Sequence, residues 1–304
     1  MYTICNLGGK RVDSVVIKAM AKVNLGLDVL RRRENGYHDV KMVMQTVNLY
    51  DTLTLSKMEE GITITTNTGE LPLNEDNLIY KAAKLLFEHT GKGKGVSIHL
   101  DKQIPIAAGM AGGSTDAAAT LLGINELYNL NLTKKELAEI GVKIGADVPY
   151  CIYGGTYLSE GIGEVLTRLP DAPDCYVVIA KPGIGVSTKY VYENLHIETV
   201  KKHPDIDGML EAIKAGNLDG VAKKMENVLE TVTIKRYPEI ETMKKCLLEN
   251  GAENALMSGS GPTVFGIFKE ENIAKRALFK LEETGLVKNG FVTTLAKETG
   301  MIGR

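Results

Sequence analysis

Residues 105 to 119 read PIAAGMAGGSTDAAA, a run of small side chains that ends in Ser-Thr-Asp and leads into LLGINELY. Small residues expose backbone N–H groups, and a helix start adds about half a positive charge. The segment Pro105, Ile106, Ala107, Ala108, Gly109, Met110, Ala111, Gly112, Gly113, Ser114 and Thr115 could therefore cradle a phosphate. The same Gly109, Gly112 and Gly113 could instead permit tight turns and close packing, with Ala117 to Ala119 as the packing face. No GK[ST] is present, so this is not a Walker A loop, and GxGxxG fits neither its spacing nor its strand context.

Two other positions could supply proton or charge chemistry. Lys22 lies in a strand-like stretch, where a lysine is ordinarily a solvated edge residue. Asp147 in GADVP precedes Val-Pro, where an aspartate often serves only as a turn former. None of the histidines, at 38, 89, 99, 196 and 203, forms HExxH or pairs with cysteine at metal-binding spacing, so no structural metal is expected. Ser260 sits in a GSG loop with no GxSxG around it.

The elements that must hold these groups can be read from the pattern. In VVIKAMAKVNLGLDVL every odd position from Ile17 to Val29 is apolar, while Lys18, Lys22, Asn24 and Asp28 are even. A two-residue period predicts a strand with one core face and one wet face, and sets Lys22 and Asn24 side by side roughly 7 Å apart. RRRENGYHDV carries an Asn-Gly turn, and VKMVMQTVNLYDTLTL and ITITT read as further strands of a mostly antiparallel sheet. Asn77 caps a predicted helix over 78–89 that stops at Gly91, with Ala82, Leu85, Leu86 and His89 on its stripe. VSIHL leads into the glycine loop, after which Ser114 or Asp116 could cap a helix to about Tyr128. Thr133 and Glu136 form a capping box, and GADVPYCIYGGTYLSEGIGE reads as loop. Beyond Pro170 come the strand CYVVIAKP, helices over 207–229 and 238–249, the strand-loop-strand ALMSGSGPTVFGIF, a helix over 271–284 and the strand FVTTLAK. This is α+β grammar.

A chain of 304 residues predicts two domains, here 15–168 and 169–304 with the break in RLPDAP, after an unpatterned leader over residues 1–14. A formal net charge of −2 gives no basic excess for a nucleic-acid backbone. No apolar run is long enough to cross a bilayer. Four scattered cysteines suggest neither zinc nor disulfides, which fits a reducing cytoplasm.

Taken together, AKVNLGL, the 105–119 loop, GADVP and MSGSGPTVF resemble, in order and spacing, the motifs of the GHMP small-molecule kinases, over about Val15 to Phe268. That resemblance implies a ribosomal protein S5 domain 2-like N-terminal domain and a ferredoxin-like C-terminal domain with a cleft between them. It implies ATP as the phosphate donor, with Mg2+ expected to accompany it; the expected assembly is a monomer or homodimer. AKVNLGLDVLRRRENGYHDVKMVMQTVNLYD, GADVPYCIYGG, EGIGE and KPGIGVST are similar to the members that phosphorylate the 2-hydroxyl of a methylerythritol carrying a cytidine diphosphate, in the non-mevalonate route to isoprenoid precursors. On matching positions, Asp147 would be the general base and Lys22 would offset charge on the transferred phosphoryl group. Asn24 would position substrate, Tyr37 and His38 would read cytidine, and Tyr192 would stack on cytosine. Residues 105–115 would bind the ATP phosphates, braced by Gly259, Ser260 and Gly261. Lys102 approaches the nucleotide or is a solvated strand-end lysine, and Asn77 lies near adenine or is a plain cap. Ala111 stands where the family often has glycine; a positive φ there would strain alanine by roughly 1 kcal/mol.

Overall fold

A computed structural model describes residues 13–297. Of the leader expected over 1–14, residues 1–12 lie outside the described residues, and Ser14 already begins the first strand. Two long antiparallel strands, β1 (Ser14–Arg32) and β2 (His38–Met58), form the spine, joined through the Asn-Gly turn, where Gly36 has φ 85°. β3 (Gly61–Thr66), α1 (Leu78–Thr90), β4 (Gly95–Asp101), α2 (Gly112–Leu127), α3 (Lys134–Gly141), α4 (Val148–Tyr153), β5 (Thr156–Gly161) and β6 (Val165–Arg168) follow. The sheet order is β3-β4-β2-β5-β6, with β1 on β2, and only β3 and β4 run parallel. Beyond it come β7 (Tyr176–Pro182), α5 (Thr188–Glu193), α6 (Ile206–Lys214), α7 (Leu218–Lys224), α8 (Glu230–Arg236), α9 (Glu239–Glu249), β8 (Asn254–Met257), β9 (Val264–Phe268), α10 (Glu271–Glu282) and β10 (Val287–Thr294). Their sheet, β10-β7-β9-β8, pairs antiparallel throughout, which is the ferredoxin-like order.

The odd positions of β1 are buried as its period requires, but they enter three different cores. Val15, Ile17 and Ala19 pack with α1 to α4; Ala21, Val23 and Leu25 pack against the second sheet and α6; Leu27 and Val29 join a third cluster with α9 and α10. The expected wet face is corrected over its second half. Lys22, Asn24 and Asp28 are 5%, 0% and 5% exposed. The chain after α7 covers them, with Leu27 N–H bonded to Glu226 O at 2.9 Å and Val228 N–H to Leu27 O at 3.0 Å. A Cβ at Gly26 would meet Ile206 at 2.8 Å, so glycine allows that approach. A strand pattern reports burial by its own sheet and is blind to a second layer arriving from 200 residues away.

Other departures are local. His89 is exposed, and the buried stripe of α1 is Ile79, Ala82, Ala83 and Leu86. GADVPYCIYGG contains a helix, α4, because Pro149 is tolerated in a first turn. The helical stretch expected over 207–229 holds two helices, since Gly216 takes φ 63° and Asn217 accepts from Gly220 N–H to start α7. α5 and α8 were hidden in stretches without a clear apolar stripe.

Candidate active site

The 105–119 loop begins where Asp51, fully buried in β2, accepts the N–H groups of Gln103 (2.6 Å) and Ile104 (2.7 Å). Positive φ then recurs at every second residue: Ala107 at 52°, Gly109 at 73°, Ala111 at 57°. Backbone that alternates hand this way gathers successive N–H groups into an anion-binding concavity. It ends on the N-terminus of α2, which adds its dipole. Neither Ser114 nor Asp116 caps that helix. Ala111 is the cap, in left-handed conformation and without a side-chain bond.

Glycine at Ala111 would relieve that strain, so Ala111→Gly should raise stability by about 1 kcal/mol, read as a higher thermal unfolding midpoint. An equal or lower midpoint would mean that the entropy glycine adds to the unfolded chain outweighs the relief.

The loop is fixed from two sides. Met110 O accepts the N–H of Lys22 at 3.2 Å, and Gly109 O accepts the Ser258 hydroxyl at 3.0 Å. A Cβ at Gly109 would lie 2.4 Å from Ser258 O, so only glycine fits between loop and β8–β9 turn. Gly259 and Gly261 have φ 58° and 91°, and Ser260 Oγ meets Thr188 Oγ1 at 2.8 Å. Asn227 clamps the turn, donating to Met257 O and Gly259 O at 2.8 Å each. Asn227 was missed in the sequence, where it belongs to no recognisable spacing, and Ser258 was passed over although it lies within the MSGSGPTVF motif.

Lys22, Asn24 and Asp147 converge beside this loop. The Lys22 ammonium donates to Asn24 Oδ1 at 2.8 Å and lies 3.8 Å from Asp147 Oδ2. Asp147 occupies the N-cap position of α4 yet makes no capping bond, so its carboxylate is not committed to the turn. Its side chain is 31% exposed against 7% for Lys22, leaving the carboxylate reachable and the cation fixed. Cys151, one turn later, is pushed up by burial first and the Asp147 charge second, which leaves its thiol protonated and inert.

His38 and Tyr192 meet with ring centroids 5.2 Å apart, tilted by 38°. Burial, then the Arg32 charge, lowers the His38 pKa and favours the neutral ring. Burial, then the Asp147 charge, raises the Tyr192 phenol. Tyr37 does not join the pair; it is 58% exposed.

Lys102 is not a solvated strand-end residue. Its side chain is 6% exposed and its ammonium is held by Asp51 and, at 3.1 Å, by Asp116. Asp116 is raised, by burial foremost, and its Oδ1 has no hydrogen-bond partner. Lys102 and Asp116 line a cavity of about 210 Å³ with Asn77, Pro105, Gly112 and Gly113. Asn77 caps α1, accepting the Ile79 N–H at 2.9 Å, and it also lines this cavity. Asp51 and Asp116 escaped sequence reading because one hides in a strand and the other looked like a cap.

The family profiles described as GHMP kinases N terminal domain and GHMP kinases C terminal match residues 77–155 and 209–286. A 4-diphosphocytidyl-2-C-methyl-D-erythritol kinase of Lachnospira eligens is 59% identical over 86% of this chain and 91% of its own. One of Lachnoclostridium phytofermentans is 54% identical over 93% and 97%. A crystal structure of 4-(cytidine 5'-diphospho)-2C-methyl-D-erythritol kinase superposes with TM-score 0.79 at 33% identity, covering 92% of this chain and 99% of that one. A homoserine kinase of Cytophaga hutchinsonii superposes with TM-score 0.77 at 22% identity over 95% and 98%, a likeness of fold alone.

Proposed function

The chain belongs to the 4-diphosphocytidyl-2-C-methyl-D-erythritol kinases of the GHMP kinase family, and on that premise we propose that it transfers the γ-phosphate of ATP to the 2-hydroxyl of that cytidyl substrate, in the methylerythritol phosphate route to isoprenoid precursors. The observation that carries the reading is the uncapped Asp147 carboxylate beside the fixed Lys22 ammonium at the edge of an N–H-lined loop. Asp147 accepts the hydroxyl proton as the oxygen attacks phosphorus. Lys22 stands against the negative charge that gathers on attacking and transferred oxygens, and Asn24 keeps the ammonium aimed. Positioning and electrostatics do most of the work in phosphoryl transfer, and both groups are preorganised.

Residues 15–168 supply the ATP loop and catalytic pair in this reading, and 169–304 supply the bracing turn and Tyr192. The cavity beside Lys102 and Asn77 takes the nucleotide end of ATP, its phosphates running along residues 105–115. ATP brings Mg2+, an ion that keeps mostly phosphate and water oxygens and needs few from the protein. The loop end fits that mode, since Ser114 offers one hydroxyl there. Bound there, the ion would neutralise phosphate charge.

His38 and Tyr192 form the cytosine end, the imidazole hydrogen bonding the base edge and the phenol ring lying on its face. Tyr37, by its exposure, contributes less than its neighbour. His38→Ala should raise KM for the cytidyl substrate at least tenfold while leaving KM for ATP within twofold. Equal effects on both would remove cytidine reading from His38. No described helix is long and apolar enough to cross a membrane, and Cys151, Cys175 and Cys246 are free.

A further inference from the structure

Both ends of the phosphate loop meet on one buried cation. Lys102 follows β4 and precedes the loop, Asp51 lies in β2, and Asp116 sits in the second turn of α2, past the loop's far end. The Lys102 ammonium bridges the two carboxylates. A Cβ at Gly112 would lie 3.0 Å from that ammonium, so glycine at the helix start leaves the cation room. Because Asp51 also accepts the Gln103 and Ile104 N–H groups, one network fixes the chain that enters the loop and the helix that leaves it. The step assigned to Lys22 and Asp147 uses none of the three side chains.

Hydrogen bonds divide the two acids unequally. The side chains of Asp51, Lys102 and Asp116 are 0%, 6% and 3% exposed, so one ammonium serves two carboxyl groups away from water. Asp51 has both oxygens occupied, Oδ1 by two N–H groups and Oδ2 by Lys102. Asp116 has Oδ2 on Lys102 at 3.1 Å, while its Oδ1 has no partner. A buried neutral group without a partner costs far less than a buried charge without one, and close carboxylates resist ionising together. Burial foremost raises Asp116, with the Lys102 charge opposing and the Asp51 charge adding. Cys151 of α4, the other titratable group nearby, keeps a neutral thiol. With one proton on Asp116 the triad carries no net charge. A second fixed anion would repel the phosphates this loop is built to take.

We propose that Asp116 is held as the neutral acid and that Lys102, shared between it and ionised Asp51, is the positioning residue that keeps the loop in its ATP-binding shape. The ATP part rests on the kinase reading; the placement of the proton stands without it. Alternating hand at Ala107, Gly109 and Ala111 gathers N–H groups that favour one another's company only around an anion. A loop tied at both ends meets that anion already ordered, whereas an untied loop must be ordered as ATP binds.

Two readouts on the full chain test this. In titration calorimetry, Lys102→Met should bind a non-hydrolysable ATP analogue at least about tenfold more weakly than the unaltered chain, with the cytidyl substrate bound within about twofold. Asp116→Leu should lose as much ATP affinity. Asp116→Asn, which has the shape of the neutral acid and keeps an oxygen toward Lys102, should recover most of that loss. Infrared spectra near neutral pH, without nucleotide, should show a carboxylic-acid carbonyl band in the unaltered chain that is missing from Asp116→Asn. Unweakened analogue binding by Lys102→Met, or equal weakening of both ligands, overturns the positioning role. Equal losses in Asp116→Asn and Asp116→Leu, or no such band, overturn the neutral acid. No analogue binding by the unaltered chain would sink the kinase reading and the positioning role together, while the infrared band still decides the proton.

Discussion

Asp147→Asn should lower kcat at least about a hundredfold while ATP affinity stays within twofold. The substitution is close to isosteric, and the Asp147 side chain makes no capping bond, so α4 keeps its start. What changes is the ability to accept a proton and the charge 3.8 Å from Lys22. A structural aspartate would give the opposite signature, with a lower unfolding midpoint and little loss in kcat. Unchanged turnover would remove Asp147 as base.

Lys22→Met should be as damaging by a different route. Methionine keeps most of the buried stem and deletes the ammonium, so the transferred phosphoryl group loses its nearest fixed cation. Losing one such preorganised donor costs roughly 10²- to 10³-fold in kcat. A stability cost accompanies it, because Asn24 Oδ1 loses its 2.8 Å donor in a fully buried position. An unsatisfied buried acceptor costs about 1–3 kcal/mol. Both effects should be seen together, kcat by steady-state assay and stability by denaturant unfolding. Destabilisation with kcat intact would make Lys22 a structural lysine only.

How much of this was legible in the sequence follows from the range of each signal. The loop, its strand and its helix are contiguous, so small-residue composition and flanking periodicity were enough to find them. The positive φ at Ala111 was legible only as a condition, because alanine does not announce a left-handed backbone as glycine does. The alternation of β1 disclosed its core face, yet the burial of Lys22 and Asn24 depends on residues near 206 and 226 folding over them, which no local pattern encodes. Asp147 looked like an ordinary turn aspartate, and only the absence of a capping bond in three dimensions separates it from one. For Lys102 only the solvated alternative falls: strand-end position suggests solvent, while Asp51 and Asp116, 51 and 14 residues away along the chain, enclose it. The meeting of His38 with Tyr192 joins the two halves of the chain and was available beforehand only through family resemblance.

The most direct test of the central claim is product analysis with the purified chain, ATP and 4-diphosphocytidyl-2-C-methyl-D-erythritol. ADP should appear in equal amount with a product carrying one new phosphate, located by phosphorus NMR coupling on the 2-hydroxyl. Mevalonate and homoserine should give no turnover. Phosphorylation of mevalonate or homoserine, with none of the cytidyl substrate, would contradict it.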